Sequence, residues 1–148
     1  NSVMKKAYLL LLISATVCMS FVCKKKKGCM DTQAVNYNIE AEADCDCCQF
    51  EKVVFYSRYP SYNIGGVWYS ILSYPLKVYV NNQDIGTITA FYPSGPGTST
   101  VPGVVTYESG DNKKVEWYAK ATASNGTFII LGSGTLNAGK QPIAVPVF

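Results

Sequence analysis

Histidine is absent from the 148-residue chain. Its absence excludes Ser–His–Asp and Cys–His catalytic arrangements, histidine-ligated zinc sites and the commonest general base of enzymes. Six of the thirteen basic residues lie at Lys5, Lys6 and Lys24–Lys27, and the other seven are outnumbered by ten acidic residues. The chain therefore lacks the basic patch of a nucleic-acid-binding protein. Its length indicates one domain with appendages, and a hydrophobic content of 48% is too high for a disordered protein.

The N-terminal segment has the pattern of a secretory signal peptide, which we predict at residues 4–22. Lys5 and Lys6 precede sixteen uncharged, mostly apolar residues, Ala7–Val22, which are followed by Cys23. A transmembrane anchor is the alternative, because lysines flank the segment on both sides and about 17 residues is the lower limit for spanning a bilayer. The N-terminal position and the weakly apolar second half favour export with cleavage.

Two cysteines at the end of this segment, Cys18 and Cys23, are candidates for lipid attachment. Valine precedes each of them, where lipoproteins carry a small residue. Cys23 followed by Lys24–Lys27 resembles the start of mature lipoproteins of Bacteroidota-type bacteria, in which a lysine-rich tether often follows the acylated cysteine. The resemblance implies lipidation at Cys23, a tether over residues 23–28 and a lipid-anchored protein of the outer membrane or cell surface. A plain cleaved signal, and hence a secreted or periplasmic protein, is the alternative.

Four more cysteines follow close together, and in an exported chain they favour disulfides over free thiols. They are Cys29, Cys45, Cys47 and Cys48. Three connectivities are open. Adjacent Cys47 and Cys48 could pair only in a strained ring, which favours a bond from Cys29 to one of the other three.

A longer motif surrounds these cysteines over residues 28–50. It consists of Gly28-Cys29-Met30-Asp31, Ala34, Asn36-Tyr37-Asn38, Ala41, Asp44 and Cys48. It resembles a short Cys-bounded module of Bacteroidota surface and secreted proteins, and the resemblance implies a Cys29–Cys48 disulfide without indicating a function. Such a closed loop would add about 3 kcal/mol of stability. Cys45 and Cys47 stand where the module has an acidic and a small residue, so their state stays open.

The same segment concentrates oxygen ligands that could bind calcium. Five acidic residues lie between Cys29 and Cys48 with no basic residue among them. The candidate ligands are Asp31, Asn36, Asn38, Asp44 and Asp46, although their spacing is not that of an EF-hand loop. A thiolate metal site at Cys45, Cys47 and Cys48 is disfavoured because an oxidising compartment removes thiolates.

From residue 51 to residue 148 the sequence alternates between apolar and polar residues, with turn residues at short intervals. Seven or eight short strands and no helical periodicity predict an all-β, immunoglobulin-like antiparallel β-sandwich. Leu76–Val80 and Ile85–Phe91 predict a hairpin with a four- or five-residue connection, and Val115, Trp117, Ala119 and Ala121 share one predicted inner face. The hairpin over residues 77–91 and the stretch over residues 132–145 resemble PEGA-like modules, which implies an accessory surface domain without an established activity.

Aromatic residues are the one feature of this domain that suggests recognition. Five of them fall in what we predict to be a loop: Tyr59, Tyr62, Trp68, Tyr69 and Tyr74. Exposed rings would bind a glycan or a protein, whereas buried rings would only fill the core. The scattered carboxylates do not single out a catalytic pair. We therefore expect a non-enzymatic binding protein, with a structural role in the cell envelope and a calcium-binding module as the alternatives.

Overall fold

The computed structural model describes residues 24–97 and 99–148, which form eleven β-strands and no helix. The strands are β1 (Lys27–Gly28), β2 (Ala43–Asp44), β3 (Val53–Tyr56), β4 (Ser61–Ile64), β5 (Val67–Ser70), β6 (Leu76–Val80), β7 (Gln83–Ile88), β8 (Val105–Tyr107), β9 (Lys114–Thr122), β10 (Phe128–Asn137) and β11 (Ile143–Pro146). The predicted all-β fold is confirmed. The signal peptide predicted at residues 4–22 and the lipidated Cys23 lie outside the described residues. In the part of the chain that the structure describes, nothing helical is long and apolar enough to cross a bilayer.

Two sheets form the sandwich. One has four strands in the order β10-β9-β6-β7, and the other has three in the order β11-β3-β8. The ring of Phe55 on β3 contacts the ring of Trp117 on β9, with centroids 5.4 Å apart, so the inner faces of the two sheets meet in one core. All pairings within these sheets are antiparallel except that of β11 with β3, where Ile143 pairs with Val53 in parallel.

Strand β9 illustrates how alternation produces this core. Val115, Ala119 and Ala121 are fully buried, whereas Lys114 and Glu116 are exposed. Trp117 lies on the buried side as predicted, but it is only half-buried because its indole reaches the edge of the sheet over Gly134. Successive side chains of a strand point to opposite faces, so the same alternation supplies both the core and the solvated surface.

Two connections in the four-stranded sheet differ from their predictions. The β6–β7 turn contains two residues, Asn81 and Asn82, rather than four or five. Both have positive φ angles, 49° and 66°, as a type I′ hairpin turn requires, and asparagine tolerates this conformation. The segment predicted as two strands around Leu131 is a single strand, β10, which a bulge between Ile130 and Gly132 keeps in register with β9.

The N-terminal module packs directly against the sandwich. Nζ of Lys113 donates to Oδ2 of Asp31 at 2.6 Å, and the backbone N–H of Phe50 donates to the carbonyl of Gly110 at 2.7 Å. Cys29 and Ala34 are buried in the same cluster as the core of the sandwich. At the start of the module, Lys27 lies in β1, which pairs in parallel with β2. This part of the lysine run is thus ordered within the module.

Candidate functional site

Residues 61–70 form the β-hairpin β4–β5, so the prediction that the aromatic segment is a loop was wrong here. Ile64 pairs with Val67 across a two-residue turn made of Gly65 and Gly66. Their φ angles of 59° and 89° are those of a type I′ turn, which glycine adopts without steric cost. A Gly-Gly pair between two alternating segments is a hairpin signal, and it was present in the sequence.

One face of this hairpin packs against the sandwich through aromatic rings. Tyr62 is 2% exposed, and its ring stacks on that of its cross-strand partner Tyr69 with centroids 5.9 Å apart. The hydroxyl of Tyr62 donates to the carbonyl of Tyr74 at 2.9 Å, while the ring of Tyr69 meets that of Tyr74 edge to face at 5.0 Å. Burial raises the pKa of Tyr62, and the neighbouring rings of Tyr69 and Tyr74 add to this effect. This cluster anchors the hairpin.

The other side of the hairpin borders an open groove of about 380 Å³. Tyr59 and Trp68 line it and are 56% and 71% exposed. Leu131, from the bulge of β10, and Phe148 complete the apolar wall, and the ring of Phe148 lies 5.7 Å from that of Tyr59. The shape and lining are those of a small ligand-binding site.

The groove carries few polar groups. Ser61 and Asn63 lie in its wall, and Oδ1 of Asn63 accepts a hydrogen bond from the N–H of Gly66 that fixes the side chain against the turn. Among the residues that the structure describes, no charged side chain lines the groove. The site therefore suits an uncharged or apolar ligand surface.

The structure divides the five candidate aromatic residues into two groups. Tyr59, Tyr62 and Trp68 line the groove, whereas Tyr69 and Tyr74 do not line it and instead pack with Tyr62. Sequence reasoning missed Leu131 and Phe148. No local signal identifies them, because they reach the groove only when β10 and the segment after β11 lie beside the hairpin.

The residues proposed as calcium ligands have other partners. Lys113 donates to Asp31 and thereby lowers the pKa of the Asp31 carboxyl, to which the backbone N–H of Gln33 also donates. Asn36 bridges the carbonyl of Cys47 and the N–H of Gln49. Hydrogen bonds within the loop also engage the other side chains, Asn38 with Glu40 and Asp44 with Asp46. Within residues 24–97 and 99–148, no group of three or more His, Cys, Asp or Glu side chains is placed to hold a metal ion.

Both pairs of cysteines in the module form disulfides. Cys29 is bonded to Cys48, with Cα atoms 4.9 Å apart, which is the pairing that the resemblance implied. Cys45 is bonded to Cys47 across the single residue Asp46. Sequence reasoning had left the state of this second pair open.

Two of the five carboxylates of the sandwich are held in exposed ion pairs. Oδ2 of Asp84 lies 3.0 Å from Nζ of Lys77, and Oε1 of Glu116 lies 2.5 Å from Nζ of Lys114. The hydrogen bond from Lys77 lowers the pKa of Asp84. Neither carboxylate lines the aromatic groove. The groove therefore has the chemistry of a binding site rather than that of general acid–base catalysis.

Comparison with known proteins adds no assignment to this geometry. No protein-family model matches the chain, and neither the curated proteins nor the solved structures give a significant match.

Proposed function

We propose that this chain is an exported, lipid-anchored surface protein whose β-sandwich binds an uncharged glycan in the groove between Tyr59 and Trp68. Export is supported by the charged and apolar pattern of residues 4–22 and by two disulfides, which form and persist in oxidising compartments. The anchor is supported by Cys23 and the lysines after it. One acyl chain binds a membrane only marginally, so a diacyl group would be needed for stable attachment.

The exposure of Tyr59 and Trp68 is the observation that carries the binding proposal. A large aromatic side chain in water forgoes the stabilisation of about 1.5–3 kcal/mol that burial would provide. Here two such rings border one groove, and an anchored hairpin holds the tryptophan in place. Flat rings offer an apolar face to the C–H face of a sugar, and Ser61 and Asn63 offer hydrogen bonds to its hydroxyl groups.

A protein partner is the second candidate, and a separate observation favours it. Val67 and Leu72 are 54% and 70% exposed and belong to the same segment as Trp68. Exposed apolar residues beyond the groove are more than a sugar ring would cover, and clustered exposed apolar residues mark protein interaction sites. Tryptophan and tyrosine are also the residues enriched at protein hot spots. A structural role in the envelope and calcium binding by the module remain alternatives that the groove does not require.

Binding of the full chain to an array of neutral glycans, followed by calorimetry on the best ligand, tests the proposal. Trp68→Ala should weaken binding about 30-fold, the equivalent of about 2 kcal/mol, which is typical of a hot-spot residue. Phe128→Ala is the matched control, because Phe128 is also 56% exposed but does not line the groove. If no glycan binds, or if both variants weaken binding equally, the groove is not a glycan site. Capture of a protein that Trp68→Ala abolishes would instead support the second candidate.

The anchor is tested separately by Cys23→Ser. The wild-type chain should fractionate with membranes and carry a lipid mass on its N-terminal peptide, and the variant should lose both. Equal membrane association of the two proteins would exclude lipidation at Cys23.

A further inference from the structure

The two disulfides of the N-terminal module differ in what they do for the fold. The Cys29–Cys48 bond closes a loop of sequence separation 19, and Cys29 is 1% exposed. The Cys45–Cys47 bond spans a separation of only 2, and Cys47 is exposed. The stabilisation from a cross-link grows with the length of the loop it closes, so the short disulfide adds the least to folding.

The short disulfide imposes an unfavourable backbone conformation on the residue it encloses. Asp46 has a φ angle of 52°, in the left-handed region that side chains with a Cβ seldom adopt. Opening the bond releases Asp46 from this conformation. Strained or exposed disulfides have higher reduction potentials and are the labile ones in proteins.

The backbone around Cys47 is held by contacts that do not depend on the short disulfide. Nδ2 of Asn36 donates to the carbonyl of Cys47 at 2.7 Å, and the N–H of Gln49 donates to Oδ1 of Asn36 at 2.8 Å. The neighbouring Cys48 is bonded to buried Cys29. The module therefore keeps its fold when the Cys45–Cys47 bond opens, and the two sulfurs stay close together.

We propose that Cys45–Cys47 is a thiol–disulfide exchange site that oxidises dithiols of basic polypeptides. A substrate thiolate attacks the exposed Sγ of Cys47, the Sγ–Sγ bond breaks, and Cys45 leaves as a thiolate that takes a proton from water. The second substrate thiolate then attacks the substrate sulfur of the mixed disulfide, and Cys47 leaves and is protonated. The substrate gains one disulfide, and the protein gains the two electrons and two protons that the substrate dithiol gives up.

Charge selects the substrate. Asp44 and Asp46 are exposed on either side of Cys45, and Glu42 is exposed nearby. These carboxylates repel an anionic thiol such as glutathione and attract a cysteine flanked by lysine or arginine. A basic dithiol peptide should therefore react faster than an acidic one of the same length.

Graded reduction of the full chain with dithiothreitol, followed by alkylation and peptide mass spectrometry, tests the first part of the proposal. Cys45 and Cys47 should become alkylated at a reductant concentration at least about tenfold below that needed for Cys29 and Cys48, because only the short disulfide is exposed and strained. Reduction of both disulfides together, or of Cys29–Cys48 first, would overturn it.

Incubation with dithiol peptides tests the activity. One equivalent of a peptide with two lysine-flanked cysteines should be oxidised, and a glutamate-flanked peptide should react more slowly. The control is the double variant Cys45→Ser with Cys47→Ser, which should keep the melting temperature of the wild type and oxidise nothing. An oxidation rate that the double variant retains, or a wild type that oxidises neither peptide, would refute the assignment.

Two variants of Asp46 separate backbone from charge. Asp46→Ala should shift the equilibrium with dithiothreitol about fivefold toward the dithiol, because alanine tolerates the left-handed conformation less well than aspartate. Asp46→Asn keeps that tolerance and removes the charge, so it should leave the equilibrium in place and reduce the preference for the basic peptide. If both variants match the wild type in both measurements, neither the strain nor the charge of Asp46 controls the site.

Discussion

Gly132→Ala should damage both the fold and the groove, because Gly132 lies where the C-terminal segment crosses β10. A Cβ built on Gly132 would overlap the carbonyl oxygen of Val147, and it would lie 2.9 Å from the carbonyl carbon and 3.3 Å from the ring of Trp117. The main obstruction is backbone, and Val147 is 1% exposed with its N–H bonded to the carbonyl of Tyr56 at 2.9 Å. The segment must therefore move as a unit or lose that hydrogen bond.

The magnitude follows from two opposing effects. Overpacking a core costs about 1–3 kcal/mol, and the upper end applies here because a backbone segment must shift. Removing a glycine from a strand recovers about 0.5–1 kcal/mol of chain entropy. Gly132→Ala should therefore destabilise the protein by about 2 kcal/mol, which lowers Tm by about 6–8 °C for a chain of this length.

Gly134→Ala is the matched control on the same strand. A Cβ there would meet only Nε1 of Trp117, at 3.2 Å, and that half-buried ring can tilt away. The entropic gain and the small clash should cancel to within about 0.5 kcal/mol. Urea denaturation of the wild type and both variants, monitored by tryptophan fluorescence, gives the two differences in free energy of unfolding.

The ligand-binding assay adds a functional measurement. Because Leu131 and Phe148 line the groove on either side of this crossing, Gly132→Ala should also weaken the ligand identified with the wild type, whereas Gly134→Ala should not. Equal stability of the two variants would show that the C-terminal segment does not cross β10 at Gly132, and the described groove would then be wrong.

Three further predictions concern single contacts. Tyr62→Phe removes the hydrogen bond to the carbonyl of Tyr74 and should cost about 1 kcal/mol in urea denaturation, with the hairpin still formed. Asp31→Asn should flatten the acid limb of the stability profile: the lowered pKa of Asp31 means that its contact with Lys113 stabilises the fold above the ordinary aspartate range and is lost as the pH falls through the lowered value, so a wild-type limb that matches that of the variant in circular dichroism would contradict the assignment. Asn82→Ala should lower stability by about 1 kcal/mol because φ is 66° there, whereas Asn82→Gly should be tolerated, and the reverse order in thermal melts would exclude the type I′ turn.

Much of the fold was predictable because strand patterns are local. The alternation of Val115, Ala119 and Ala121 against exposed polar residues identified the inner face of β9, and the structure buries all three. Turn geometry was less accessible. Asn81-Asn82 and Gly65-Gly66 both form two-residue turns, yet the first was predicted too long and the second was not recognised, since the surrounding aromatic residues suggested a loop.

The sequence by itself determined the all-β class, the oxidising chemistry of the cysteines and the presence of an aromatic-rich segment. Each of these depends on residue types and on spacings within a few positions. The tertiary structure alone decided that Tyr59 and Trp68 face solvent while Tyr62 is buried, and that Leu131 and Phe148 join them. The physical reason is that exposure depends on which distant strand covers a side chain, and chain contacts of long sequence separation leave no local pattern for a ring to reveal.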